Sequence, residues 1–409
     1  MTLNKEIKKV LLVGYNGANN PGSEARLLSI IEDVKKLLGP EVLITIPTLN
    51  EKNLRRYLDE GPNIRIKAIP SIFHLSLIRL VKKNDLILLV EGSCYMDTWS
   101  SALLTAFLWS TKYAYKYNKP CVAYGVDAGH LSLSNQEKVK KEASKTSLII
   151  TRTHAAAEIL RSIGVTAPMK VTADCAFTFN IYKEDEQLLD KIWTSNNGFV
   201  GLAVVDFHLW PVQMRLWGKK EYCYKWPYYF SRSPEHLKSS DKLAHRWAHM
   251  ADGIIEKYGK NIALICMEDV DNPLAGAVLE KMKNRKQVRI FSSSEYNASQ
   301  MTGILQNLDL LITSRYHAGV LSLKKAVPQI AIGHDTRLKT FYQELKIYDD
   351  YFIDYEEKDA WKKIKKISHE LIEKPNDLRK ILKKGFLQHV ERARENPILL
   401  NRFIKQGNL

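Results

Sequence analysis

Two stretches of the chain concentrate side chains that bind anions and move protons. Leu308-Asp309-Leu310-Leu311-Ile312-Thr313 is an apolar run that ends in Ser314-Arg315-Tyr316-His317, and the next apolar run, Gln329 to Ile332, ends in Gly333-His334-Asp335-Thr336-Arg337-Leu338-Lys339. As neighbouring strands they bring Ser314, Arg315, His317, His334, Arg337 and Lys339 together beside the start of a helix, expected over Gly319 to Lys325. Three cations at one strand edge can hold a small polyanion, and a histidine among them can pass it a proton. A third apolar run, Leu148 to Thr151, delivers Arg152, whose planar guanidinium suits a carboxylate or a phosphate.

Other strand ends carry polar side chains of a different kind. Gly14-Tyr15-Asn16-Gly17-Ala18-Asn19-Asn20-Pro21-Gly22-Ser23-Glu24 is neither a dinucleotide fingerprint nor a P-loop, since no Lys-Ser/Thr pair follows. Its Asn16, Asn19, Asn20 and Glu24 suit sugar hydroxyls better than a pyrophosphate. Val90-Glu91-Gly92-Ser93-Cys94-Tyr95-Met96-Asp97 places two carboxylates at another strand end, each fit to act as a general base or to bind a hydroxyl, and Asp127 follows the run Val122 to Gly125 in the same way.

Strands and helices must alternate to position these groups. Lys9 to Val13, Val42 to Ile46, Ile64 to Ile69, Leu86 to Val90, Val122 to Gly125, Leu148 to Thr151 and Met169 to Thr172 are short runs expected to be strands, most of them continuously apolar as in strands covered on both faces. Between the first two, Asn20-Pro21 opens a helical pattern (Leu27, Ile30, Ile31, Val34, Leu37, Leu38) that Gly39-Pro40 closes. A charged stretch near Lys183 to Glu186 interrupts the series. It resumes with Phe199 to Val205, Ile262 to Cys266, Val288 to Phe291, Leu308 to Thr313 and Gln329 to Ile332. The reading is an α/β chain of two Rossmann-like doubly wound domains facing a cleft, at 1–180 and 196–350, followed by basic amphipathic helices at 355–409. An aromatic-rich insertion at 210–233 is expected to overhang the cleft.

Composition limits the classes. The 409 residues are 45% hydrophobic, which excludes a disordered chain, and 61 Lys and Arg against 45 Asp and Glu give +16, which favours anionic partners. The longest uncharged apolar stretch, Thr98 to Thr111, is shorter than the roughly 18 residues a membrane span needs. Five scattered cysteines without a CxxC pair point to a reducing compartment and away from a zinc site. The expected location is cytoplasmic, at most peripheral to the inner face of the membrane.

In this order, over about residues 9 to 345, these segments resemble the polysaccharide pyruvyl transferase family. The resemblance rests on the opening loop with Gly22-Ser23-Glu24-Ala25, the segment ending in Asp97, Thr151-Arg152 ahead of Ile163-Gly164-Val165, Thr172-Ala173-Asp174, and above all Ser314-Arg315-Tyr316-His317-Ala318 with Pro328 beyond. The usual glycine triplet reads Glu91-Gly92-Ser93, the opening loop lacks its common Asp, and the insertion at 210–233 has no counterpart. The resemblance implies a GT-B-like fold and transfer of the pyruvyl group of phosphoenolpyruvate onto two hydroxyls of a sugar or lipid-linked saccharide. On that analogy Ser314, Arg315, His334, Arg337 and Lys339 bind the donor with Arg152 reaching across. His317 is the general acid, Glu24 and Asp97 are the further catalytic candidates, and Asn16, Asn19, Asn20, Glu91 and Asp127 line the acceptor side. The implied enzyme has no metal and no cofactor beyond the co-substrate, serves the cell envelope, and has no nucleic-acid partner. Two other readings of the residues stand beside it: a GT-B glycosyltransferase using a nucleotide sugar held by Glu268 and Asp269, and a non-enzymatic module whose basic tail binds a polyanion or a membrane surface.

Overall fold

The structure is a computed structural model that describes residues 6–208, 212–220, 223–230, 233–333 and 335–406. The first half forms β1 (Lys9–Val13), α1 (Pro21–Leu38), β2 (Leu43–Thr48), α2 (Glu51–Leu54), β3 (Ile64–Ala68), α3 (His74–Lys83), β4 (Leu86–Leu89), α4 (Ser101–Lys116), β5 (Cys121–Val126), α5 (Leu133–Ala143), β6 (Leu148–Thr151), α6 (His154–Ser162) and β7 (Met169–Val171). All seven strands are parallel, in the order β3-β2-β1-β4-β5-β6-β7. Helix α1 begins and ends where its caps dictate: the Asn20 side chain accepts from Ser23 N at 3.1 Å, Pro21 takes the first turn, and Gly39 follows the last with φ 88°.

After α7 (Leu188–Ile192) the second half repeats the plan. It contains β8 (Phe199–Ala203), a small inserted sheet of β9 (Val212–Met214), β10 (Cys223–Lys225) and β11 (Tyr228–Phe230), α8 (Pro234–Tyr258), β12 (Asn261–Cys266), α9 (Asn272–Lys281), β13 (Val288–Ser292), α10 (Ala298–Gln306), β14 (Leu310–Thr313), α11 (Tyr316–Ser322), β15 (Gln329–Ile332), α12 (Thr336–Glu344), α13 (Tyr348–Tyr351) and β16 (Phe352–Ile353). Its main sheet runs β13-β12-β8-β14-β15-β16, the first-sheet order again. In both sheets the order reverses direction beside the first strand, β1 or β8, and that switch point is where open α/β sheets hold ligands. The helix expected over Gly319 to Lys325 begins earlier, at Tyr316, so Arg315 is its N-cap and His317 lies inside its first turn.

The C-terminal helices α14 (Ala360–Glu373) and α15 (Asn376–Gln406) use their apolar faces internally. Ile364, Leu371, Leu378, Leu382 and Ala393 join the second core, whereas Leu399, Leu400 and Phe403 cross back into the first. Arg392 and Asn396 pin the crossing to the backbone oxygens of Thr172 and Ala173, at 2.6 and 3.0 Å. The basic tail is thus a strap between domains with a solvated outer face, and its apolar stripe is not on offer to a membrane. Among the described residues no helix is long and apolar enough to cross one.

Leu400 is fully buried at this strap. Leu400→Ala should cost about 2–5 kcal/mol, the scale of a buried leucine truncation. Urea unfolding checks it, with an unchanged midpoint as the contrary result.

Candidate functional site

Loops from both switch points meet around a cavity of about 310 Å³. The first domain contributes Asn16, Asn19, Asn20 and Glu91, and the second contributes Glu268, Asp269, Arg315, His317 and Arg337. Beyond these polar groups the wall turns apolar, with Phe73, Leu77, Trp99, Leu103 and Phe107. The inserted sheet overhangs it as expected, adding Val212, Lys225 and Tyr228. A second cavity of about 360 Å³ lies beyond Trp99 and Arg315, bordered by Ser314, His130 and Thr336.

Beneath the first cavity sits a buried ion cluster centred on Asp174. Its carboxylate accepts from Arg26 Nη1 at 2.8 Å, Arg152 Nη1 at 2.5 Å and Ala176 N at 2.9 Å, and His317 Nε2 stands 3.6 Å away. Burial opposes the charge on Asp174, but Arg26 and Arg152 hold it well below the usual carboxylate range. Arg152 also donates Nε to Asp127 at 2.8 Å and lies 4.2 Å over the Tyr316 ring. Gly92 is where this guanidinium needs room: a Cβ there would lie 2.6 Å from Arg152 Nη1. His317 packs as closely on Gly22, where a Cβ would lie 2.1 Å from its Cγ. Burial lowers the pKa of His317, Asp174 pulls it up, and the two arginines push it down again, leaving it below 6.5. The balance favours the neutral ring in the protein without ligand.

The cations of the cavity wall are likewise held by carboxylates. Arg315 donates Nε to Asp271 Oδ2 at 3.0 Å and Nη2 to Asp271 Oδ1, with Glu268 3.5 Å from Nη1. Burial raises the Asp271 pKa to about 6 against the pull of Arg315. Arg337 forks onto Asp335, with Nη2 to Oδ2 at 2.6 Å, and lies 4.8 Å over the Trp99 ring. Across the cleft, Asn20 donates to Glu268 at 2.6 Å and Asn19 to Asp269 at 2.7 Å, so the opening loop latches one domain to the other.

A family model for polysaccharide pyruvyl transferase matches residues 20–336. The chain belongs to this family. No curated protein matches it. Among solved structures it is similar to Anabaena Alr3699/HepE in complex with UDP and glucose, at 14% identity and TM-score 0.59, covering 98% of this chain and 99% of that one. It is also similar to the UDP-GlcNAc 2-epimerase of Methanocaldococcus jannaschii, at 13% identity and TM-score 0.62 with 96% and 99% covered. A third is the Neisseria meningitidis UDP-GlcNAc 2-epimerase bound to UDP-GlcNAc, at 10% identity and TM-score 0.62 with 97% and 100% covered. At these identities the likeness is one of fold, the GT-B-like pair of facing domains.

Within this pyruvyl transferase framework, Arg315, His317 and Arg337 converge on the first cavity with Asn16, Asn19, Asn20 and Glu91. Ser314 borders the second, its buried hydroxyl without a hydrogen-bond partner. His334 lies outside the described residues. Five residues depart from their expected places. Lys339 is on the exposed face of α12, 5.3 Å over the Tyr348 ring, because the helix starting at Thr336 turns it away. Asp97 accepts from Ser132 N, Ser132 Oγ and Asn135 Nδ2 at 2.8–2.9 Å, fixing the loop before α5 and lining neither cavity. Arg152 and Asp127 neutralise each other in the floor instead of reaching across to a ligand. Glu24 faces α10, accepting from Ala298 N at 2.8 Å, and does not reach the cavity.

Sequence reasoning missed Arg26 and Asp271. Arg26 is one turn before Ile30 on the buried stripe of α1, and a charge in register with an apolar stripe is the signal that identifies it. Asp271 sits in a charged loop with nothing to distinguish it from Asp269. Among the described residues no three His, Cys, Asp or Glu side chains form a metal-ligand group.

Burial raises the Glu24 pKa from 4.5 to about 8, with Arg56 and the Ala298 N–H opposing. The fold thus favours the protonated acid; that stability is fully present below pH 4.5 and lost as pH rises through 8. Glu24→Gln should flatten this decline and raise the melting temperature at pH 8 while changing little at pH 4.5. Thermal melts across the range check it; parallel curves for the two proteins would contradict it.

Proposed function

We propose that the chain transfers the pyruvyl group of phosphoenolpyruvate onto two hydroxyls of a saccharide, forming a cyclic ketal and releasing phosphate. The observation that carries this reading is the meeting of Arg315, His317 and Arg337 with an asparagine- and glutamate-lined wall in one cavity of a family member. The donor brings close to three negative charges, and Arg315 Nη1, whose ion pair with Glu268 at 3.5 Å is longer than the bonds to Asp271, would turn from Glu268 to its carboxylate or phosphate. Arg337 lies on the same wall.

The chemistry follows from the donor. Protonation of its methylene carbon makes C2 cation-like; a sugar hydroxyl then adds to C2, phosphate leaves, and the second hydroxyl closes the ring. One hydroxyl proton is balanced by the new methyl C–H and the other leaves with phosphate. His317 is the acid in this scheme. Its ring is neutral until an anion binds, so donor binding itself charges the acid. Of the carboxylates considered for the acceptor, Glu91 is the one at the cavity, held by Tyr15 N at 3.2 Å and by Ser93 N and Oγ at 3.3 and 3.2 Å. A carboxylate so surrounded by donors suits orienting a sugar hydroxyl. Asn16 is spent internally on the Leu12 and Pro47 carbonyls, and Asn19 and Asn20 donate to Asp269 and Glu268 in the interdomain latch, so Glu91 is the wall group left to meet the acceptor. The nucleotide-sugar alternative would draw on Glu268 and Asp269, and both already serve the interdomain latch.

Incubation with phosphoenolpyruvate and a saccharide panel, followed by mass spectrometry and phosphate release, tests the reading. His317→Ala should lower turnover about 10²–10⁴-fold, the range for a general acid, with donor affinity within about tenfold of wild type. Arg315→Ala should weaken donor binding by about 1.5–3 kcal/mol, the worth of a charged hydrogen bond. Normal turnover in the first variant, or an unchanged donor dissociation constant in the second, removes that residue from the mechanism.

A further inference from the structure

We propose that one end of the inserted sheet, formed by the close of β9, the loop at Leu216 and Trp217 and the turn at Trp226, with the adjoining start of α3, docks on an anionic phospholipid bilayer. Six large apolar side chains stand exposed there: Trp217 at 80%, Trp226 at 53%, Met214 at 62%, Leu216 at 64%, Ile72 at 60% and Leu75 at 67%. No surface elsewhere among the described residues gathers as many, since the other exposed large apolar residues are scattered over α4, α5, α8 and α15 and the 182 turn. The two parts of the patch belong together. Tyr228 donates its hydroxyl to the Ser71 carbonyl at 3.2 Å, Val212 N bonds Trp99 O at 3.0 Å, and Lys225 reaches Leu49 O. The face of the same sheet that carries Val212, Lys225 and Tyr228 roofs the cavity, so a bilayer at this end of the sheet would lie at the cavity mouth.

Charge identifies the occupant. The loop that follows β9 holds three cations, Arg215, Lys219 and Lys220, against the single acid Glu221, while Lys225 turns inward to Leu49 O. Tryptophans rimmed by cations are the side-chain set of a lipid–water interface, where the rings take the headgroup level and the cations meet anionic lipids. A second copy of a chain carrying +16 would oppose cations to cations across the same face, which disfavours self-association. The docking stands on this patch alone and holds whether or not the proposed transfer is correct.

Full-length protein is sedimented with vesicles of phosphatidylcholine alone or mixed with phosphatidylglycerol. Binding to the mixed vesicles should exceed binding to the neutral ones by at least about tenfold and weaken with salt. The Trp217→Ser/Trp226→Ser and Lys219→Glu/Lys220→Glu pairs should each lose most of it, whereas Lys362→Glu/Lys363→Glu on α14 should keep it. Brominated lipids should quench tryptophan fluorescence of the wild-type protein, a readout that needs no variant to fold. Absence of binding to mixed vesicles, absence of quenching, or loss of binding only in the α14 variant overturns the proposal. So does size-exclusion chromatography showing a wild-type dimer that the tryptophan pair dissolves. Pyruvyl transfer to a soluble saccharide, measured alongside, separates failure of the docking from failure of the proposed function.

Discussion

Asp174 carries three neighbours on one carboxylate: Arg26 from the first helix, Arg152 from the sixth strand end and His317 from the facing domain. A buried charge is tolerable only when paired and hydrogen-bonded, and removing one partner of such a pair strands the other. Each member of this cluster is therefore fixed by the rest. Arg152 presses on Gly92 and Tyr316, His317 presses on Gly22, and the floor of the cavity has little freedom to move. The same rule governs the walls, where Arg315 leans on Asp271 and Arg337 on Asp335. The pocket is thus less a bare positive field than a set of cations held in place by internal carboxylates. An incoming anion would meet guanidinium edges already oriented, which lowers the reorganisation that binding requires.

The two sheets explain why such groups meet. Both follow the same strand order, so both present a switch point, and facing the two domains puts one switch point against the other. Helix α1 lies at this junction, its start packed on His317 and its Glu24 bonded to α10. Helix α15 closes the arrangement from behind by donating its last turns to the first core.

Much of this was legible in the sequence. The central strands of both sheets appear as continuous apolar runs, the edge strands β3 and β13 carry charges among their apolar residues, and the limits of α1 follow from Asn20-Pro21 and Gly39. The convergence of Arg315, His317 and Arg337 follows from their place after consecutive strands. What the sequence does not carry is rotation about a helix and competition among carboxylates. Lys339 is two residues from Arg337, and two residues along a helix turn a side chain through most of a half circle. Asp97 and Glu24 each sit near a strand end or loop, but local donors capture the first and a facing helix the second. That Asp127 neutralises Arg152 depends on the pairing of β5 with β6, a contact no local pattern states. The three strands of the insertion are too short for periodicity to reveal.

The account turns on a histidine that is neutral in the empty site and becomes an acid when an anion binds. Nuclear magnetic resonance titration of histidine-labelled protein, with His317→Gln to assign the resonance, measures this directly. The His317 pKa should lie below 6.5 without ligand and rise when phosphoenolpyruvate saturates the cavity. A value that does not move on adding phosphoenolpyruvate, or one already above 6.5 in the free protein, would contradict that mechanism.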